Sequence, residues 1–264
     1  MTLVTTRIED GVAHVRLARP DKLNALTLDT LAELVATAGR LRRDRTIRAV
    51  ILAGEGASFC AGLDIPGTLK QPRRIVGAFL PAPWRGTNLF QEACWAWRRV
   101  PVPVIAAVHG HCYGGGLQIA LAADFRFATG DSKWSVLEGK WGIIPDMTGI
   151  RTLTEVVGLD VAKRLTMTAE EISGAEADRL GLVTEVHDDP IAAATAFAQR
   201  LAGRSPDAVA AAKRLLDGAV TASARRTFAR ERRVQLRLLT LRNTKILQRA
   251  AMKRTAPEFG PRGS

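Results

Sequence analysis

Cysteine is scarce in this chain: Cys60, Cys94 and Cys112 are the three among 264 residues, an odd number without paired ligand spacing. That scarcity excludes a disulfide framework and predicts reduced thiols in a cytoplasmic protein. The four histidines include no His-x-x-x-His pair, so no metal site is expected. Long apolar runs are also missing. The longest, near residues 100–108, is broken by Pro101 and Pro103 and falls far short of the ~20 residues that span a bilayer. The opening residues lack the charged segment, apolar run and cleavage site of a secretory signal, which predicts no export. Aromatic residues make up 5% of the chain and Tyr113 is the single tyrosine, which leaves little with which to stack nucleic-acid bases.

Acidic residues are outnumbered, 26 against 38 Lys and Arg, for a net charge of +12. The excess is local. Residues 222–254 hold eleven Lys or Arg against the single Glu231. Phe228, Leu236, Leu238, Leu239, Leu241, Ile246 and Leu247 give this stretch an apolar side to pack, with arginines on the other face. Such a stripe suits phosphate groups, and it is also the footprint of nucleic-acid binding. Without interleaved aromatics, nucleic acid is the weaker reading. A hydrophobic content of 47% over this length is enough to bury a full core.

Arg7-Ile8-Glu9 and residues 12–17, joined at Asp10-Gly11, read as a hairpin. Thr27 is an expected N-cap for a helix whose apolar side is Thr30, Leu31, Leu34, Val35, Ala38 and Leu41, ending at Arg42-Arg43. A buried strand over residues 47–53 closes at Gly54-Glu55-Gly56. The alternation continues through a strand at 124–128, which predicts parallel βα units, and beyond Asp189-Pro190 the pattern is helical. Residues 1–189 are therefore expected to form the core and 190–254 a helical region. The Pro- and Gly-rich tail, 255–264, reads as flexible.

The richest stretch is His109-Gly110-His111-Cys112-Tyr113-Gly114-Gly115-Gly116-Leu117-Gln118, where a buried-strand pattern meets a glycine triplet that opens a helix. Without Cβ atoms there, backbone N–H groups can approach a ligand, and the helix N-terminus adds partial positive charge. A developing oxyanion would be stabilised at such a junction. Tight strand–helix packing uses the same residues, so the triplet alone does not decide.

Its company does. Arg19-Pro20 with Asn24-Ala25-Leu26, Phe59-Cys60-Ala61-Gly62-Leu63-Asp64-Ile65, the triplet with Ala123-Asp124, residues 138–149, and Ala175-Glu176-Ala177 with Gly181-Leu182-Val183 occur in order. In these motifs the chain resembles the crotonase superfamily, the enoyl-CoA hydratases and isomerases, from about Thr6 to Val186. The resemblance implies an α/β superhelix of ββα units with a helical C-terminal region. It implies an acyl-CoA thioester substrate, no separate cofactor because coenzyme A is part of that substrate, and a homotrimer or hexamer.

By the resemblance, the backbone N–H groups of Leu63 and Gly115 hold the thioester carbonyl, which acidifies the α-proton and stabilises an enolate. Ala61, Gly62, Asp64, Ile65, Gly114 and Gly116 border that point. Family hydratases carry two glutamates, at the positions of Gln118 and Glu138. An amide does not titrate near neutrality, so Gln118 orients water or a substrate group instead of moving a proton. Asp146, eight residues after Glu138, matches an aspartate of dienoyl-CoA isomerases, which also keep an acid where Gln118 stands. The set Glu138, Asp146 and Gln118 favours a double-bond shift, with hydration second and a non-catalytic acyl-CoA binder third. Trp134 and Trp141 are expected to wall the acyl pocket, although both also suit a core. Lys22, with Arg19 and the basic C-terminal helix, is placed near the coenzyme A phosphates.

Overall fold

In the computed structural model, which describes residues 2–263, Asp10 (φ +47°) and Gly11 (φ +77°) turn the chain between two antiparallel strands, β1 (Val4–Glu9) and β2 (Val12–Leu17). Thr27 caps helix α1 (Leu28–Arg43) in a reciprocal box with Thr30, and three arginines in its last turn suit the negative end of the helix dipole. Strand β3 (Ala49–Gly54) then pairs in parallel with β2. Three helices follow: α2 (Ile65–Leu69), α3 (Pro72–Phe79) and α4 (Leu89–Arg98).

Strand β4 (Val104–Val108) pairs in parallel with β3, and β5 (His111–Tyr113) leads directly into helix α5 (Gly115–Leu121). Strands β6 (Phe125–Ala128), β7 (Lys133–Ser135), β8 (Ile172–Ser173) and β9 (Glu185–Val186) alternate with α6 (Gly149–Val157), α7 (Leu159–Thr168) and α8 (Gly174–Arg179). The main sheet runs β1-β2-β3-β4-β6-β9, antiparallel at β1-β2 and parallel elsewhere, and a smaller sheet runs β5-β7-β8.

Strand periodicity divides the interior. Val50, Leu52, Val104, Ala106 and Val108 face the main core with α1 and α4, while Ala49, Ile51, Ala53, Ile105 and Ala107 face helix α9 (Pro190–Ala202) through Ala194 and Ala198. Helix α9 thus belongs to the core, and the outlying helical region begins at α10 (Pro206–Ala219), followed by α11 (Ala224–Thr240) and α12 (Arg242–Lys253). Among the described residues no helix is long and apolar enough to cross a membrane, and no group of His, Cys, Asp or Glu could hold a metal ion. The three cysteines are free and buried.

The end of the tail departs from its expected flexibility. Gly260 N donates to Asn243 Oδ1 (3.0 Å), Gly263 N to Asp207 Oδ1 (2.6 Å) and Arg262 Nη2 to the Asp44 carbonyl (2.9 Å). Asn243 is fully buried and its amide nitrogen also donates to Asp207 Oδ2 (2.8 Å). A Pro- and Gly-rich composition signalled freedom, but these distant partners satisfy the tail's backbone instead.

Candidate active site

The site is assembled by strand-like pairing of residues 59–64 with two neighbours. On one side Phe59 N donates to His109 O, Cys60 N to His111 O and Tyr113 N to Cys60 O. On the other, Leu26 N donates to Gly62 O and Asp64 N to Leu26 O. Asn24, buried in a left-handed conformation (φ +56°), fixes this edge: its amide nitrogen donates to Ser58 O (2.7 Å) and Glu55 O (2.9 Å).

In the parallel bridge between Leu26 and Leu63, both bonds are made by the residues flanking Leu63, so the Leu63 N–H points to the opposite side. Gly115 opens α5, where a first-turn N–H has no helical acceptor, while the preceding Gly114 N is occupied by Ser135 O. The two segments lie against each other: a Cβ on Gly62 would stand 3.8 Å from Gly115 N. The Leu63 and Gly115 segments are therefore brought together, and neither N–H has a partner among the described residues.

Beneath that opening lies the carboxylate. Gly114 adopts φ +47° and ψ −116°, and a Cβ there would come within 3.2 Å of Glu138 Oε1, so glycine both makes the turn and leaves room for the acid. Glu138 is buried in a 3-10 turn (Leu137–Trp141). Its Oε1 accepts a hydrogen bond from Gln118 Nε2 (2.6 Å), whereas its Oε2 is buried with no partner among the described residues. Gln118 is in turn held by Gly149 N, which donates to Gln118 Oε1 (2.8 Å). Gln118 is thereby held at both ends: one amide joins the acid to the start of α6.

Asp146 lies just before that helix, half-buried after Pro145. Burial pushes the Glu138 pKa above its ordinary value, and the nearby Asp146 charge pushes it further, against the Gln118 hydrogen bond. Burial also raises Asp146. The thiol of Cys94, raised chiefly by burial, is raised further by the charges of Glu138 and Asp146. The structure thus unites Leu63, Gly115, Gln118, Glu138 and Asp146, drawn from three separated motifs.

The remaining expected site residues lie in varied settings. Gly116 serves packing, since a Cβ there would stand 2.6 Å from that of Cys60. Asp64 caps α2 through Gly67 N (3.0 Å) and pairs with Arg19 (3.2 Å). Arg19 also donates to Ala25 O, so its guanidinium is taken up locally. Trp134 is wholly buried with its Nε1 donating to Ser132 Oγ (3.0 Å), so it belongs to the core and not to a pocket wall. Trp141 is 58% exposed at the end of the 3-10 turn and Lys22 is exposed in another (Pro20–Lys22). Ala61 and Ile65 are half-buried beside Leu63. Gly149 was read only as a motif member; its role depends on an N–H aimed at a residue 31 positions away. Met147 and Leu26 were likewise read only as motif members, and both would touch a Cβ on Gly115.

The fold thus sets the Leu63 and Gly115 segments close to a buried acid, Glu138. A family model described as enoyl-CoA hydratase/isomerase matches residues 7–256, and the chain belongs to that family of enzymes. It is 31% identical over 224 residues to a peroxisomal Delta(3,5)-Delta(2,4)-dienoyl-CoA isomerase of Arabidopsis thaliana, covering 82% of this chain and 81% of that protein. It is 36% identical over 212 residues to a short-chain-enoyl-CoA hydratase of Clostridium acetobutylicum, covering 79% and 78%. A crystal structure of an enoyl-CoA hydratase from Bacillus anthracis superposes with a TM-score of 0.89 at 26% identity, over 98% of this chain and 99% of that one.

Proposed function

We propose that this protein shifts the double bond of an enoyl-CoA thioester. The observation that carries the reading is the state of Glu138: one oxygen is fixed by Gln118 and the other is buried, unpaired and raised in pKa. A carboxylate so placed is a general base for a carbon acid. Leu63 and Gly115 N–H groups receive the thioester oxygen. Glu138 removes a proton from the α-carbon of a 3-enoyl-CoA, and the electron pair moves into the carbonyl to give a dienolate. Reprotonation at the γ-carbon, by Glu138 or by Asp146, collapses the enolate to the conjugated 2-enoyl-CoA. No atom is gained or lost.

Hydration requires a second group that exchanges protons with water, and the residue in that position is an amide already committed to Glu138 and Gly149. Hydration remains the second reading, supported by the similarity to named hydratases. The thioester substrate carries its own coenzyme A, and no further cofactor or metal enters the scheme. A homotrimer or hexamer is supported by the exposed apolar side chains Phe228, Leu236, Leu239 and Met252 on α11 and α12. Incubation of a 3-enoyl-CoA with the protein, followed by ultraviolet absorbance of the conjugated thioester, tests the reading. Growth of that absorbance supports it, and a 3-enoyl-CoA left unchanged refutes it.

A further inference from the structure

A second cavity, of about 580 Å³, opens between the end of α4, helices α10 and α11, and the tail. Val100 and Pro101 line it, just before β4 begins, whereas the Leu63–Gly115 opening follows the other end of that strand. A five-residue strand spans about 16 Å, so the cavity and the Leu63–Gly115 opening lie beyond opposite ends of β4. Seven Lys or Arg side chains line this cavity against two aspartates.

Three of the cations are already matched. Arg98 pairs with Glu155 and Asp217, Arg99 with Glu92, and Lys213 with Asp124. Asp207 accepts from Asn243 and Gly263. That leaves Arg42, Arg214 and Arg237, whose guanidinium groups have neither ion pair nor hydrogen bond among the described residues. A fourth, Arg262, supplies an independent sign. Its Nη2 donates to Asp44 O, but its Nη1 is buried without a partner among the described residues. Burial, and then the neighbouring Arg48, pull the Arg262 pKa below its ordinary value. A buried donor with no acceptor beside unmatched cations lacks an anion.

We propose that this cavity binds a small, multiply charged phosphate anion through Arg42, Arg214, Arg237 and Arg262. Its volume lies within the ~300–1,000 Å³ of small-ligand sites, and planar guanidinium forks suit phosphate oxygens bidentately. The inference does not rest on the proposed proton transfer, since Arg42, Arg214, Arg237 and Arg262 are distinct from Leu63, Gly115, Gln118, Glu138 and Asp146.

Isothermal titration of the full-length protein at low ionic strength, with inorganic pyrophosphate and with ADP, tests it. The expected result is one saturable site per chain, weakened about tenfold or more by the double substitution Arg214→Ala/Arg237→Ala, because charge-assisted contacts are lost. The pair Arg225→Ala/Arg226→Ala, which removes the same charge from α11 outside the cavity, is expected to leave affinity unchanged. Tighter binding of ADP than of pyrophosphate identifies a nucleoside phosphate as the ligand class, and equal binding identifies the phosphate groups alone; both retain the site. The proposal is overturned by non-saturating heat, by equal weakening in both double variants, by unchanged affinity in Arg214→Ala/Arg237→Ala, or by displacement with saturating acyl-CoA.

Discussion

Glu138 is exposed to two opposing demands. A carboxylate buried with a free oxygen is a stronger base toward carbon, yet it costs folding free energy to ionise there. Because its folded pKa is raised, the native state holds the proton more tightly than the unfolded chain, and stability falls as pH rises through the folded value. Glu138→Gln keeps the shape and the acceptor for Gln118 while removing the charge. It is expected to lower kcat by roughly 10²–10⁴-fold and to raise Tm at neutral pH, with the Tm gain vanishing in acid. Steady-state kinetics and thermal melts across pH check both. For the native protein, kcat/KM rises with pH through an acidic limb set above the ordinary glutamate range, since the base acts deprotonated.

Gln118→Glu tests the clamp. Two carboxyls at the present 2.6 Å contact would share a proton and titrate as a pair, so a single acidic limb becomes bell-shaped and water addition to a 2-enoyl-CoA appears. An unchanged profile would mean that the amide does not govern Glu138. The chemistry of this pair was legible in the sequence as residue types, amide against acid. That Gln118 is fixed at both ends was not, because Gly149 contributes through its backbone and any residue name would have hidden it.

Among the elements, the junction of β5 with α5 is the most constrained. Gly116→Ala places a Cβ against Cys60, and with backbone among the atoms it meets, relaxation is limited. A loss of roughly 1–3 kcal/mol is expected in urea denaturation. The α1 cap is a milder case: Thr27→Ala removes the side-chain acceptor for Thr30 N (3.1 Å) and should cost about 1 kcal/mol. The hairpin at Asp10-Gly11 and the cap at Thr27 were readable beforehand from local turn and capping chemistry, and β3 from its apolar run. Trp134 was not, since an aromatic flanking a site and an aromatic filling the core beneath it carry the same one-dimensional pattern.

For the molecule as a whole, the clasp of the tail on Asp207 and Asn243 ties α10 and α12 to the loop after α1. Composition concealed this, because glycine and proline mark loops whether they are docked or free. Asn243→Ala leaves the buried Asp207 and the Gly260 N–H short of partners. It is expected to lower stability by roughly 1–3 kcal/mol, read by chemical denaturation, with kcat unchanged.

The central claim is a proton relayed through an enolate without water addition. Its most direct test is to incubate the protein in deuterated water with a 3-enoyl-CoA and, separately, a 2-enoyl-CoA, and to follow both by mass. The account predicts conversion of the 3-enoyl-CoA to its 2-enoyl isomer, deuterium in the acyl chain of the thioester, little gain of the mass of water, and loss of all exchange in Glu138→Gln. Rapid hydration of the 2-enoyl-CoA, or isomerisation that survives Glu138→Gln, would contradict it.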